Sequence, residues 1–243
     1  THEPEPVPDQ EPEPVPDSAP HETWDDSTQP PDSPPPSPAA FRVTTAAIRQ
    51  PAICFPGADP CMDVTSTADA WLTGAIAPPD LSTALLLRFS PLDPADPGAF
   101  LEVGAGSCGW SSGECAFDAA QVPALFPGPL FPGLDPCEPG VPATCFVTER
   151  RNMDVWFGDL FLAFRDGHLA GTLVPAGGAI AHGVLDAMIP VNTAKSIQVS
   201  AGGAGTWKLS DFLAFAPVET IEGVKGYRFR IAYEAVEVGF AVP

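Results

Sequence analysis

Apolar and polar residues alternate most cleanly near the end of the chain, where Tyr227, Phe229, Ile231 and Tyr233 are separated by Arg228, Arg230 and Ala232. A period of two with one apolar face predicts a half-buried β-strand. The alternation then changes parity. Val236, Val238 and Phe240 take the other register, and a β-bulge near Glu234-Ala235 would return both sets to one face. Two further apolar runs, Trp156 to Phe164 and Leu169 to Val174, flank Arg165-Asp166-Gly167-His168. Asp-Gly between apolar runs predicts a hairpin, because a type I′ turn needs positive φ at both central positions. This hairpin is expected at the centre of the fold, with His168 exposed beside the turn. Gly177-Gly178 then leads into a third run, Ile180 to Ile189, that completes a meander and places His182 inside a strand.

Upstream, Phe41 to Ile48 predicts a first strand rich in β-branched residues. Trp71 to Ala77 and Thr83 to Phe89 predict two more, parted by Pro78-Pro79-Asp80, which a sheet interior rejects. Ala84-Leu85-Leu86-Leu87 is apolar on both faces and therefore central, with Ala99 to Val103 as its expected partner. Ala116 to Gln121 reads as one or two helical turns, and Ser210 as the N-cap of a short helix. The proline-rich passage 123–142 reads as a long loop laid across the open face of the sheet through Leu125, Phe126, Leu130, Phe131 and Leu134. Many short strands with frequent turn signals predict an all-β fold. The expected form is an antiparallel β-sandwich or jelly-roll-like domain with long Pro/Gly-rich loops. A domain of this size buries roughly 70% of its extended-chain surface, enough for a core.

Composition changes this picture at the N-terminus. Residues 1–40 hold 13 of the 32 prolines and ten acidic residues with no Lys or Arg, a net charge of −10. Glu3-Pro4-Glu5-Pro6-Val7-Pro8-Asp9 recurs as Glu11-Pro12-Glu13-Pro14-Val15-Pro16-Asp17. Such a segment is stiff, self-repelling and unable to bury a core, so residues 1–40 read as a disordered stalk and 41–243 as a single folded domain. The whole chain carries −20, which excludes nucleic acid and anionic membrane surfaces as partners and permits divalent cations or basic ones. No apolar run approaches the roughly 18 to 20 residues of a membrane-spanning helix. Thr1-His2-Glu3-Pro4 has no basic flank or apolar centre and reads as the start of a processed chain, with a lipid anchor expected upstream of Thr1.

Six cysteines fall into three close pairs: Cys54 with Cys61, Cys108 with Cys115, and Cys137 with Cys145. Each pair closes a proline- or glycine-rich loop, so three local disulfides are expected, and with them an oxidising compartment. Zinc is the competing reading, but no C-x2-C knuckle and no nearby histidine supports it.

Candidate chemistry is sparse. Gly109-Trp110-Ser111-Ser112-Gly113 matches the G-x-S-x-G of a nucleophile elbow, with His168 or His182 downstream as a base for Ser111. That motif works only between a strand and a long helix; this one lies in a cysteine-closed loop. Asp93 with Asp96, or Asp59 with Asp63, offers hard oxygen ligands that suit calcium, without EF-hand spacing. Trp71, Trp110 and Trp207 are candidates for stacking on sugar rings.

Leu169-Ala170-Gly171-Thr172, Gly183-Val184-Leu185-Asp186-Ala187-Met188-Ile189-Pro190 and Gly226-Tyr227-Arg228-Phe229 resemble stretches of uncharacterised surface lipoproteins of myxobacteria and their relatives. The resemblance implies a tethered, exported protein and assigns no catalytic or binding residue. The sequence therefore points to a secreted or surface-tethered, non-catalytic protein that binds extracellular protein or carbohydrate or serves a structural role at a bacterial cell surface. Its rivals are a serine hydrolase using Ser111 and a calcium-dependent adhesion module.

Overall fold

The computed structural model of the chain describes residues 38–93, 96–109, 113–128, 130, 144–157, 160–174, 178–200 and 206–241. Ala39–Gln50 (β1) is followed by the helix Thr65–Ile76 (α1), then Ala84–Ser90 (β2), Phe100–Cys108 (β3), Glu114–Phe117 (β4) and Ala124–Pro127 (β5). Thr144–Val147 (β6), Arg151–Phe157 (β7), Leu160–Val174 (β8) and Ala179–Pro190 (β9) come next. An excursion of Val191–Ser196 (α2), Gln198–Ser200 (β10), Thr206–Lys208 (β11) and Leu209–Phe212 (α3) precedes Val218–Ile221 (β12) and Val224–Phe240 (β13).

Eleven strands share one sheet in the order β1-β2-β3-β4-β13-β9-β8-β6, with β5 on β3, β7 on β8 and β12 on β13; β10 and β11 pair separately. Because β1 also pairs with β13, the path β1-β2-β3-β4-β13 returns on itself. Gly239 and Phe240 meet Glu114 and Cys115 in parallel, so the sheet is mixed. The mostly-β class is as expected; the arrangement is one large sheet closing on itself, and not two stacked antiparallel sheets.

The final strand is the spine, flanked by β1 and β9. Tyr227, Phe229, Ile231, Tyr233 and Ala235 are all buried, so the inward parity runs unbroken through the expected bulge. The extra residues sit instead in the neighbours. Opposite Glu234, β1 advances from Val43 to Thr45 and β9 from Ile180 to Gly183, where His182 takes a φ of 52°. Val238 and Phe240 therefore face the other side and join a second cluster with Ala84, Leu86, Cys115 and Phe117. Phe117 and Phe240 meet edge to face at 5.1 Å. This is why β2 needs both faces apolar: Leu86 serves the small cluster, while Leu87 and Phe89 serve the main core.

Asp166-Gly167 makes no hairpin turn, because β8 runs straight through it. Asp166 adopts the left-handed φ of 49° within a bulge, where pairing slips on both sides. Of the two positive φ values that the expected turn requires, only the one at Asp166 is present: an Asp in the left-handed region serves a bulge as well as a turn. Partner strands decide between them. β9 pairs along most of β8, while β7 takes its first half and β6 its second. A β-carbon on Gly167 would lie 2.6 Å from Met153 Cε and 3.1 Å from Ala187 Cβ. A side chain at this position would have to displace the end of Met153 and press on Ala187. β7 and β8 do form an antiparallel pair, with Phe157 opposite Leu160.

Trp71 to Ala77 is helical, not extended. The apolar positions Ala68, Leu72 and Ile76 recur every four residues, and Leu72 and Ile76 are buried on the core side of α1. The period was hidden because it begins upstream of the Trp, Thr and Ile residues that suggest a strand. Nor is Ala116 to Gln121 helical, since Glu114–Phe117 extends against β3. Within the proline-rich passage, Ala124–Pro127 pairs with β3 and Phe126 and Leu130 are fully buried. Phe131, Leu134 and the rest of 131–143 lie outside the described residues, as do 1–37 with the expected stalk. The short helix α3 starts one residue ahead of the expected cap; the Asp211 carboxylate accepts from the Lys208 N–H at 3.0 Å.

Candidate functional site

The first helix is held where it is by the backbone of β1. Beyond Arg42 that strand has no β2 partner, and an unpaired row of N–H and C=O groups inside a protein is costly. Helix α1 supplies the missing partners. The Asp69 carboxylate accepts from the Ile48 N–H at 2.6 Å, and the Thr73 hydroxyl accepts from the Ala46 N–H at 3.2 Å and donates to the Ala46 carbonyl at 3.0 Å. The helix is thus fastened by its edge and leaves its apolar face over the sheet.

Two other excursions close in on the same face. The segment after β1 is clamped by Cys54–Cys61. It is tied to α1 through Ile53 N–H donating to Thr65 Oγ1 at 2.9 Å, and to α3 through Cys54 N–H donating to the Phe212 carbonyl at 2.9 Å. The excursion from α2 to α3 is pinned by Leu209 N–H donating to the Ile197 carbonyl at 3.0 Å. Helix, clamped segment and excursion meet without filling the space between them. They leave a cavity of about 120 Å³ bounded by Ile48, Phe229 and Ile231 of the sheet, Leu162, Phe164 and Ile189 of its neighbours, and Ile53, Val64, Thr67, Ala68, Trp71, Leu72, Ile197, Val199, Leu209 and Phe212 above. A smaller void of about 40 Å³ adjoins it, sharing Leu72, Leu162, Phe164 and Ile231. Among the described residues that line the main cavity, only Thr67 and Trp71 carry a polar side-chain group, and none is titratable. Trp71 stands at the rim, 39% exposed. Sequence reading marked Trp71 only as a sugar-stacking candidate and missed the cavity, because its walls come from stretches far apart in the chain. The helical period Ala68-Leu72-Ile76 was the one available signal.

On the other face of the sheet lies a charged cluster. Arg228 Nη2 donates to Asp166 Oδ2 at 2.9 Å, its Nη1 to Asp186 Oδ1 at 3.0 Å, and its Nε reaches Glu219 Oε2 at 3.3 Å. Arg150 Nη1 adds a second contact to Asp166 at 3.2 Å and to Asp186 at 3.6 Å. Every carboxylate here is met by a guanidinium, so the cluster holds β8, β9, β12 and β13 together and offers no vacant charge to a ligand. His168 stands opposite Asp186 in β8. It is half-buried in mid-strand, not exposed beside a turn. Its Nδ1 is buried and meets no hydrogen-bond partner among the described residues.

Burial, with the Arg150 charge beside it, lowers the His168 pKa below its ordinary 6.5. The unfolded chain then takes up the proton first, so this contribution is complete above the unfolded value of 6.5 and is lost progressively as the pH falls from there through the lowered folded-state pKa. His168→Gln should remove this component. Its melting temperature is expected to fall less than that of the wild type between pH 7.5 and 5.5, and equal slopes would refute the assignment.

The other expected site residues do not come together. Ser111 lies outside the described residues; its flanks, β3 and β4, are antiparallel strands with Cys108 directly opposite Cys115, not a strand and a helix. His182 is exposed in its bulge, four residues along β9 from the Asp186 that faces His168. Asp63 Oδ1 accepts from the Thr65 N–H at 2.8 Å and Asp96 Oδ1 from the Gly98 N–H at 2.7 Å. Asp93 accepts from Asp96 through its backbone carbonyl at 3.1 Å, and Asp59 precedes a cis proline in the clamped segment. These acids shape turns, and among the described residues no three His, Cys, Asp or Glu side chains gather to hold a metal. Trp207 meets Phe55 edge to face at 6.3 Å, and Trp110 lies outside the described residues.

Two of the three expected disulfides, Cys54–Cys61 and Cys108–Cys115, are in place. The third, Cys137 with Cys145, falls outside the described residues through Cys137. No helix among the described residues is long and apolar enough to cross a membrane. No family model, no curated protein and no solved structure matches this chain.

Proposed function

We propose that this is an exported, surface-tethered protein that binds an apolar molecule and performs no chemistry on it. The cavity beneath α1 carries this reading. Acyl transfer and most other enzymatic chemistry need a nucleophile, a base and charge-stabilising donors within hydrogen-bond reach of one point. Among the described residues, the cavity wall holds none of these beyond the hydroxyl of Thr67. A concave apolar site built by excursions on a rigid sheet is instead the usual setting for a small-molecule ligand. Export is supported by the two disulfides, one on the segment after β1 and one across β3 and β4, since such bridges persist in oxidising compartments. Tethering is supported by the acidic proline-rich stretch of residues 1–40 and by the resemblance to surface lipoproteins.

Thermal unfolding in the presence of a mixed panel of apolar small molecules, sugars and calcium, run beside an ester-hydrolysis assay of the wild type and Ser111→Ala, tests the proposal. At least one apolar compound is expected to raise the melting temperature, with any ester turnover unchanged by the substitution. Turnover lost in a Ser111→Ala protein that melts like the wild type would replace this reading by the hydrolase.

A further inference from the structure

From the dimensions and wall chemistry of the cavity, and resting on the binding reading above, we propose a specific ligand class: a compact, uncharged, single-ring aromatic molecule carrying at most one hydroxyl group. Three observations fix these limits. The two adjoining voids, about 120 and 40 Å³, together slightly exceed an apolar protein cavity of about 150 Å³ that stays dry and takes up benzene. They fall well short of the roughly 300 Å³ at which pockets for drug-sized ligands begin, which excludes sterols and long acyl chains.

Phe164, Phe212, Phe229 and Trp71 line the space, and rings are favoured by rings through edge-to-face and offset contacts. A carboxylate or ammonium group inside would meet no counter-charge, and an unpaired buried charge is strongly disfavoured. Thr67 is the one lining residue among those described with an aliphatic hydroxyl, the group to pair with a phenolic O–H. Trp71, half in solvent, marks the way in.

The test uses toluene, p-cresol, benzoate and decanoate with the full chain, reading the melting temperature and the Trp fluorescence. Toluene and p-cresol should each raise the melting temperature by roughly 3 to 6 °C at ten times Kd, and benzoate and decanoate should not. Ala68→Leu places a larger side chain in the space and should abolish the response while leaving the fold intact. Val199→Phe does the same from the opposite wall, should the helix variant fold poorly. Thr67→Val should leave toluene unaffected and weaken p-cresol roughly fivefold, the value of one neutral hydrogen bond.

A response to decanoate or benzoate equal to that of toluene overturns the proposed class and leaves the binding reading standing. A toluene response that survives both filling variants overturns the assignment to this cavity. Silence from every apolar compound in the wider panel overturns both readings.

Discussion

Gly106→Ala is expected to cost more than about 3 kcal/mol and to lower the melting temperature by at least roughly 6 °C, the largest effect of any single methyl added to a glycine among the described residues. Gly106 lies in β3, opposite Ala84 of β2 on one side and Phe117 of β4 on the other. A β-carbon there would overlap the Ala116 carbonyl oxygen and the Leu86 side chain. A flexible side chain could yield, but a strand backbone within a closed path of strands cannot. The close approach of β3 and β4 brings Cys108 opposite Cys115, and β4 is also the strand that meets the end of β13 and closes the path. Differential scanning calorimetry checks the prediction. Gly74→Ala is the control, because nothing lies within 4 Å of a β-carbon at that position and it sits in the last turn of α1. There the substitution should be neutral or stabilising. Equal melting temperatures for the two variants would refute the close-packing argument.

Serine at both Cys54 and Cys61 is expected to remove about 2.5 kcal/mol by the loop-entropy relation, a fall of roughly 5 to 10 °C in melting temperature. The Cys108–Cys115 bridge closes a loop of the same sequence separation, 7 in each case, so serine at both of these positions should cost a similar amount. The two pairs differ in what they hold. Ile53 and Val64 stand on either side of the Cys54–Cys61 loop and both face the cavity, whereas Cys108 and Cys115 belong to the small cluster on the other face. Loss of the first bridge should therefore weaken toluene binding, and loss of the second should leave it unchanged. Isothermal titration of both variants at a temperature where each is folded separates stability from site integrity. Equal losses of affinity would mean that the clamped segment does not shape the cavity.

The carboxylates on the outer face illustrate a different limit. Acidic residues near turns suggest calcium when they are seen as letters, since ligand type is all that a sequence shows. In the fold, Asp63 and Asp96 spend an oxygen on a nearby backbone N–H, and Asp166 and Asp186 are taken by Arg150 and Arg228. An acid already satisfied by its neighbours has little left for a cation. Chain order gave no warning, because Arg228 lies 62 residues beyond Asp166.

What the sequence determines by itself is whatever depends on neighbouring residues. The alternation of Tyr227 to Tyr233 places an amphipathic strand with the correct inward face. The doubly apolar run of Ala84 to Leu87 places a central strand, and the cysteine spacing selects Cys54–Cys61 and Cys108–Cys115. Each of these follows from a local period or a short loop, and tertiary packing had only to accept it. Tertiary structure alone decided the matters that depend on which strands become partners. Asp166-Gly167 suits a turn or a bulge by residue type, the bulge needing positive φ at Asp166 alone, and the choice was made by β6, β7 and β9 crowding along both sides of β8. The parity change at Val236 could be absorbed by a bulge or by a second core, and β4 meeting the end of β13 supplied the second core. The cavity belongs to the same kind. No residue encodes a space, which exists because three separately anchored excursions are held by their own hydrogen bonds and a disulfide before their side chains can meet.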